Sequence, residues 1–180
     1  DSSFIPDLMG IRIGVNMQDF KVLDPLSSDE ISRLEGIFQE YSPLKNDPWG
    51  ASYETLKSII PYTKLLYEKY FKVEATGFEN LPEGPAVFIA NHGGQIPVDG
   101  LVIVHSMLLK APKARLLRGM VERWVPTLPF IGATMAKLGQ IVGDQRNCLH
   151  LLQHKQSVLV FPEGVIGSGK PIHKKYQLHN

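Results

Sequence analysis

From residue 71 onward the chain alternates short apolar runs with stretches whose apolar residues recur at helical spacing. Ala86-Val-Phe-Ile-Ala90 and Ser157-Val-Leu-Val-Phe161 read as strands, the first of them buried. Shorter candidates are Lys72–Thr76, Ala114–Leu117 and Gln140–Val142. Between them Asp99–Lys110, the later half of Trp124–Leu138, and Arg146–Lys155 read as helices, the last with Cys148, Leu149 and Leu152 facing inward. This alternation predicts an α/β layered domain with a largely parallel or mixed sheet flanked by helices.

A helical segment comes first. Ser27-Ser-Asp-Glu30 has the spacing of a capping box, so a helix is expected from Ser28 to about Tyr41. Ser42–Gly50 is rich in turn residues. Tyr53, Leu56, Ile59, Ile60, Leu66, Tyr67 and Tyr70 place a second helix over Tyr53–Tyr70, with Pro61 kinking or breaking it. The expected division is an N-terminal arm and helical segment over 1–70 and an α/β core over 71–180. Lys170–Asn180 is polar and offers no closing element, so the core reads as incomplete at its C-terminal end.

Composition narrows the function. A formal net charge of +1 argues against a dedicated nucleic-acid binder. No run reaches the ~18 apolar residues of a membrane-spanning helix, and the first residues lack the basic start and apolar core of a signal peptide. A single cysteine, Cys148, excludes an internal disulfide.

One stretch invites a nucleotide reading. Gly164, Gly169 and Lys170 follow an apolar run with the spacing G-x-x-x-x-G-K. A phosphate loop also needs a hydroxyl for magnesium after the lysine and a helix to follow. Here Pro171 comes next, and Pro-Ile-His-Lys-Lys-Tyr-Gln is not an amphipathic helix. The glycines then serve as turn formers, and a phosphate-loop binder is a remote alternative.

A second stretch carries more chemistry. Asn91-His-Gly-Gly-Gln-Ile-Pro-Val-Asp-Gly100 directly follows the run Ala86–Ala90. His92 therefore falls at the carboxyl end of a strand, where open α/β sheets place their sites. Gly93 and Gly94 allow close approach of backbone or substrate. Asp99 lies seven residues on, at the start of a helix. An imidazole can take a proton from a hydroxyl while a carboxylate on its other nitrogen fixes the tautomer, as in a Ser-His-Asp relay whose serine is replaced by the substrate. Asp99 equally suits a helix cap, and the two roles need different oxygens.

Three segments, in order, now resemble the glycerolipid (lysophospholipid) acyltransferase family, that of the 1-acyl-glycerol-3-phosphate acyltransferases. They are GFENLPEGPAVFIANHGG (77–94), LGQIVGDQRNCLHLL (138–152) and SVLVFPEG (157–164), and KKYQL (174–178) is also family-like. With their context they cover about three fifths of the chain. The resemblance implies a glycerol-3-phosphate acyltransferase-like fold. It implies transfer of an acyl group from acyl-CoA or acyl carrier protein to a glycerolipid hydroxyl, with no cofactor. His92 would be the general base and Asp99 its partner, with backbone N–H groups near Gly93 and Gly94 for the oxyanion. Phe161, Pro162, Glu163 and Gly164 would lie in the acceptor site, and Arg146 is the candidate for an acceptor phosphate. Lys170 and Lys174 would meet CoA phosphate or anionic lipid.

The match departs from the common pattern in three places. Six residues separate His92 from Asp99 rather than four, as in a branch of the family with the form His-Gly-Gly-x-x-Pro-x-Asp. Arg146 lies further from Gly139 than usual, which opens neutral glycerolipids as acceptors. The chain ends before the family's fourth, proline-containing motif. A non-catalytic lipid- or acyl-CoA-binding module on the same fold is the alternative from another class.

Lipid substrates imply peripheral contact with the cytoplasmic side of a membrane. Arg115, Arg118 and Arg123 interleave with Trp124, Leu128 and Phe130, which suits a membrane interface or a core helix entry with a charged outer face. His173 and His179 have no third ligand at a metal-binding spacing, so no metal is expected.

Overall fold

The computed structural model describes residues 23–39, 47–92 and 98–162. Among the described residues the sheet has four parallel strands: β1 (Val87–Ile89), β2 (Leu117–Val121), β3 (Ile141–Val142) and β4 (Ser157–Val160). Their spatial order is β1-β4-β2-β3, so β4 inserts between β1 and β2. The helices are α1 (Ser28–Gln39), α2 (Tyr53–Leu65), α3 (Val98–His105), α4 (Ile131–Lys137) and α5 (Gln145–Gln153). Each of α2 and α3 runs on into a π turn, Leu66–Tyr70 and Ser106–Lys110 respectively. This is an α/β fold with a parallel sheet flanked by helices.

Local chemistry starts three of the helices, the first at the capping box that the sequence suggests. Ser27 and Glu30 close the capping box, with Ser27 N–H on the Glu30 carboxylate at 2.8 Å and Glu30 N–H on Ser27 Oγ at 3.2 Å. Ser52 caps α2 through Thr55 N–H, and Asp144 caps α5 through Asn147 N–H. One apolar cluster joins Leu34, Phe38, Leu56 and Ile60 of α1 and α2 to Leu108 and Leu116. A second packs Met107, Leu117 and Leu159 with Phe88, Ala90 and Phe161.

Several expectations are corrected. Lys72–Thr76 is not a strand. Phe71 and Val73 donate back to Leu66 and Tyr67 carbonyls, and Lys72 sits at φ +48, so the backbone leaves the helix by a turn. The strand expected at Ala114–Leu117 lies at Leu117–Val121 instead, because Arg118 and Gly119 find partners that a strand pattern does not reveal. Among the described residues β1 is an edge strand with Ile89 71% exposed, so it is not buried on both faces. In α5 the inward stripe is Cys148, Leu151 and Leu152, at i, i+3 and i+4. Leu149 falls off it and is 52% exposed.

α2 and α3 are tied by a buried histidine. His105 is 3% exposed, stacks on Tyr67 with centroids 4.6 Å apart, and meets Thr63 Oγ1 through Nδ1 at 2.8 Å. The Thr63 hydroxyl donates to the Ile60 carbonyl, so the ring must donate through Nδ1. Nε2 is then a bare acceptor, buried without a partner among the described residues. Burial, helped by the nearby Lys110 cation, pushes the imidazole down to about 4.

The folded state thus resists a proton that the unfolded chain accepts near pH 6.5. His105 gives its full stability above that pH and loses it as the pH falls toward about 4. Between pH 7.5 and 5 the wild type should lose about 2 kcal/mol more than a His105→Gln variant, read from urea midpoints. Parallel pH dependence in the two proteins would show that His105 does not titrate on unfolding.

Candidate active site

All four strands are parallel, so their carboxyl ends share one edge of the sheet. His92 follows β1 by three residues at that edge. Asp99 sits in the first turn of α3, the next element in the chain. The two side chains meet, with Nδ1 of His92 2.8 Å from Oδ2 of Asp99 and both partly buried. The six intervening residues thus permit the contact. The other carboxylate oxygen, Oδ1, takes the N–H of Gly100 at 2.8 Å. Asp99 therefore serves the helix and the histidine together, one oxygen for each.

A carboxylate against Nδ1 fixes the tautomer. The ring donates Nδ1–H to Asp99, which leaves Nε2 with its lone pair. That nitrogen can take a proton from a hydroxyl while the carboxylate steadies the imidazolium. The pair is therefore fit for general-base work.

Phe161 follows β4, the strand paired with β1. Its ring lies against the imidazole, centroids 4.8 Å apart and planes at 35°. Pro162 is exposed in the turn beyond it. Arg146 is exposed in the first turn of α5, which begins after β3 and so at the same edge of the sheet. Gly93, Gly94, Glu163, Gly164, Lys170 and Lys174 lie outside the described residues, as does the G-x-x-x-x-G-K loop. Among the described residues no group of three or more His, Cys, Asp or Glu side chains has metal-binding geometry.

Arg118 departs most from its sequence reading. It is not at a surface but fully buried in β2, ion-paired through Nη2 with Asp47 and bonded to Gln156 Oε1 by Nε at 3.2 Å. Its guanidinium also lies over the Trp49 ring, 5.5 Å from the centroid. Arg115 is likewise committed, donating to the carbonyls of Pro82 and Gly84. Of that basic and aromatic stretch, Arg123, Trp124 and Phe130 are exposed, Phe130 at 90%.

The Acyltransferase family model matches residues 72–177, and the chain belongs to that family. The described strands, His92, Asp99 and Phe161 all fall within the match. The chain is 36% identical over 121 residues to uncharacterized protein ML2427 of Mycobacterium leprae (strain TN), covering 67% of this chain and 33% of that protein. It is 34% identical over 119 residues to uncharacterized proteins Mb0514 of Mycobacterium bovis and Rv0502 of Mycobacterium tuberculosis (strain H37Rv), covering 66% of this chain and 33% of each. The chain thus spans about a third of the length of the curated relatives it matches. No solved structure gives a significant match.

Proposed function

We propose that the protein moves a fatty acyl group from acyl-CoA, or acyl carrier protein, to a hydroxyl of a lysophospholipid or related glycerolipid. The observation that carries this reading is the 2.8 Å contact between His92 and Asp99 at the carboxyl edge of the sheet, in a chain of the Acyltransferase family. The acceptor hydroxyl gives its proton to Nε2 of His92 as its oxygen attacks the thioester carbonyl. The tetrahedral oxyanion collapses, the C–S bond breaks, and the leaving thiolate takes the proton back from the imidazolium. The products are the acylated acceptor and free CoA thiol. No cofactor is needed.

Backbone N–H groups near Gly93 and Gly94 are assigned to the oxyanion, where preorganised donors do most for acyl transfer. Glu163, Gly164 and Arg146 are assigned to the acceptor, and Lys170 and Lys174 to CoA or anionic headgroups. The lipid acceptor makes a membrane surface the working environment. Trp124, Phe130 and Ile131, exposed in the segment between β2 and the start of α4, support peripheral contact there. Among the described residues no helix is long and apolar enough to cross a membrane.

The test is CoA-thiol release from a long-chain acyl-CoA against a panel of lysophosphatidic acid, lysophosphatidylcholine, monoacylglycerol and diacylglycerol. The protein is assayed on vesicles. Acceptor-dependent release is expected and names the acceptor class. Acyl-CoA binding with no release across the panel would favour the non-catalytic binding module.

A further inference from the structure

His92 is held from two directions. The bond to Asp99 pins Nδ1 but leaves the ring free to swing about that bond. The face of Phe161 opposes that swing. Its ring offers neither donor nor acceptor, so it competes for neither imidazole nitrogen.

The ring of Phe161 is itself anchored. Phe88 and Ala90 share one face of β1 and its extension, and Leu159 shares the matching face of β4, where Phe88 pairs with Leu159. Phe161 continues that face and packs into the cluster of Met107, Leu117 and Leu159. Ala90 N–H bonds the Val160 carbonyl at 3.1 Å, which holds the two strand ends side by side. His92 and Phe161 therefore leave adjacent parallel strands together.

α3 closes the other side. Gly100 directly follows Asp99, and a Cβ built on it would lie 3.4 Å from Cε2 and 3.5 Å from Cζ of Phe161. That is contact distance. A methyl group fits, whereas a branched side chain would reach into the ring. Gly100 thus leaves the room in which Phe161 lies against the histidine.

We infer that Phe161 is a positioning residue for the His92 base and that Gly100 sets the space it occupies. The inference rests on the acyltransferase reading of His92. It gives Phe161 a role different from the acceptor contact implied by the family resemblance.

The test is turnover of Phe161→Ala, Gly100→Val and their double variant, with Gly100→Ala as control, in the CoA-release assay on the full-length protein. Phe161→Ala and Gly100→Val should each lower kcat ~10–100-fold, with KM for acyl-CoA and acceptor within ~3-fold, because small misplacements of a reacting group cost rate rather than binding. Gly100→Ala should keep kcat within ~3-fold, since its methyl only reaches contact distance. Gly100→Val should add nothing in the Phe161→Ala background, where no ring is left to displace.

A raised acceptor KM with kcat intact would make Phe161 a substrate contact and overturn the inference. Unchanged kinetics would reduce it to core packing. If Phe161→Ala does not fold, Phe161→Leu and Gly100→Val carry the same test. Nitrogen-15 NMR of the His92 side chain reads positioning without turnover. Both proteins should show the tautomer protonated on Nδ1, held there by Asp99, and Phe161→Ala should add ring motion, read as relaxation broadening of the ring-nitrogen signals. A neutral His92→Ala would remove the base assignment, while the NMR result would still report whether Phe161 holds the ring.

Discussion

His92→Ala is expected to slow acceptor-dependent CoA release at least ~100-fold, with the fold unchanged. The size follows from what is lost. A hydroxyl is a poor nucleophile at neutral pH, and a positioned base typically contributes ~10²–10⁴-fold to such a step. His92 is partly buried and its ring is oriented by Asp99 and Phe161, so its loss removes a preorganised group rather than a mobile surface one. Asp99→Asn should impair turnover severely as well. The amide can turn its NH₂ toward Nδ1, which favours the wrong tautomer. The change keeps the side chain's size at the start of α3, so stability should fall little. Near wild-type turnover in His92→Ala would remove the base assignment. An Asp99→Asn variant that loses stability yet keeps its rate would leave Asp99 a helix-turn residue only.

The parts of this fold that show in sequence are those whose partners lie close in the chain. Ser27 and Glu30 are three residues apart, and their reciprocal bonds start α1 where the pattern predicts. β1 and β4 are apolar runs that match the strand period, and His92 and Asp99 lie within ten residues of the first. What does not show depends on distant contacts. β2 contains Arg118 and Gly119, which look unlike a strand. Arg118 is admitted by Asp47, 71 residues earlier, and a Cβ at Gly119 would lie 2.0 Å from Gln140 Oε1. Spacing alone cannot reveal either contact.

Two misreadings have the same origin. Arg118 shares its basic character with Arg123 in the stretch around Trp124, but β2 is buried on both faces at Leu117, Arg118 and Gly119, so no outward side is open to it there. Lys72–Thr76 alternates like a strand, yet Phe71 and Val73 spend their N–H groups on the preceding turn, and no ladder forms. The role of Phe161 is also three-dimensional. Its place in Phe-Pro-Glu-Gly suggests the acceptor, whereas its neighbours are His92 and the space over Gly100.

Asp47→Ala should destabilise the protein by about 3–5 kcal/mol, the usual cost of removing one partner of a buried ion pair. The side chains of Arg118 and Asp47 are both fully buried, and the guanidinium cannot shed its charge. Gln156 would still accept from Nε and Nη2, but it supplies no negative charge. Nη1 already lacks a partner among the described residues, so the site has little reserve. Asp47 Oδ1 also takes the N–H groups of Trp49 and Ala51, and the variant removes that shared acceptor. By contrast, Lys64→Ala breaks a less deeply buried pair with Glu30, and about 1 kcal/mol is the expected scale there.

Urea midpoints on the two variants make the comparison. A loss below about 1 kcal/mol for Asp47→Ala would show that water or another group replaces the carboxylate. Adding Arg118→Met to Asp47→Ala should recover much of the loss, because the cost lies in the stranded charge rather than in the missing contact. Arg118 lies near the amino end of β2, whereas His92, Asp99 and Phe161 gather at the carboxyl edge. The double variant should therefore turn over at close to the wild-type rate once folded, which separates the ion pair's part in stability from the chemistry.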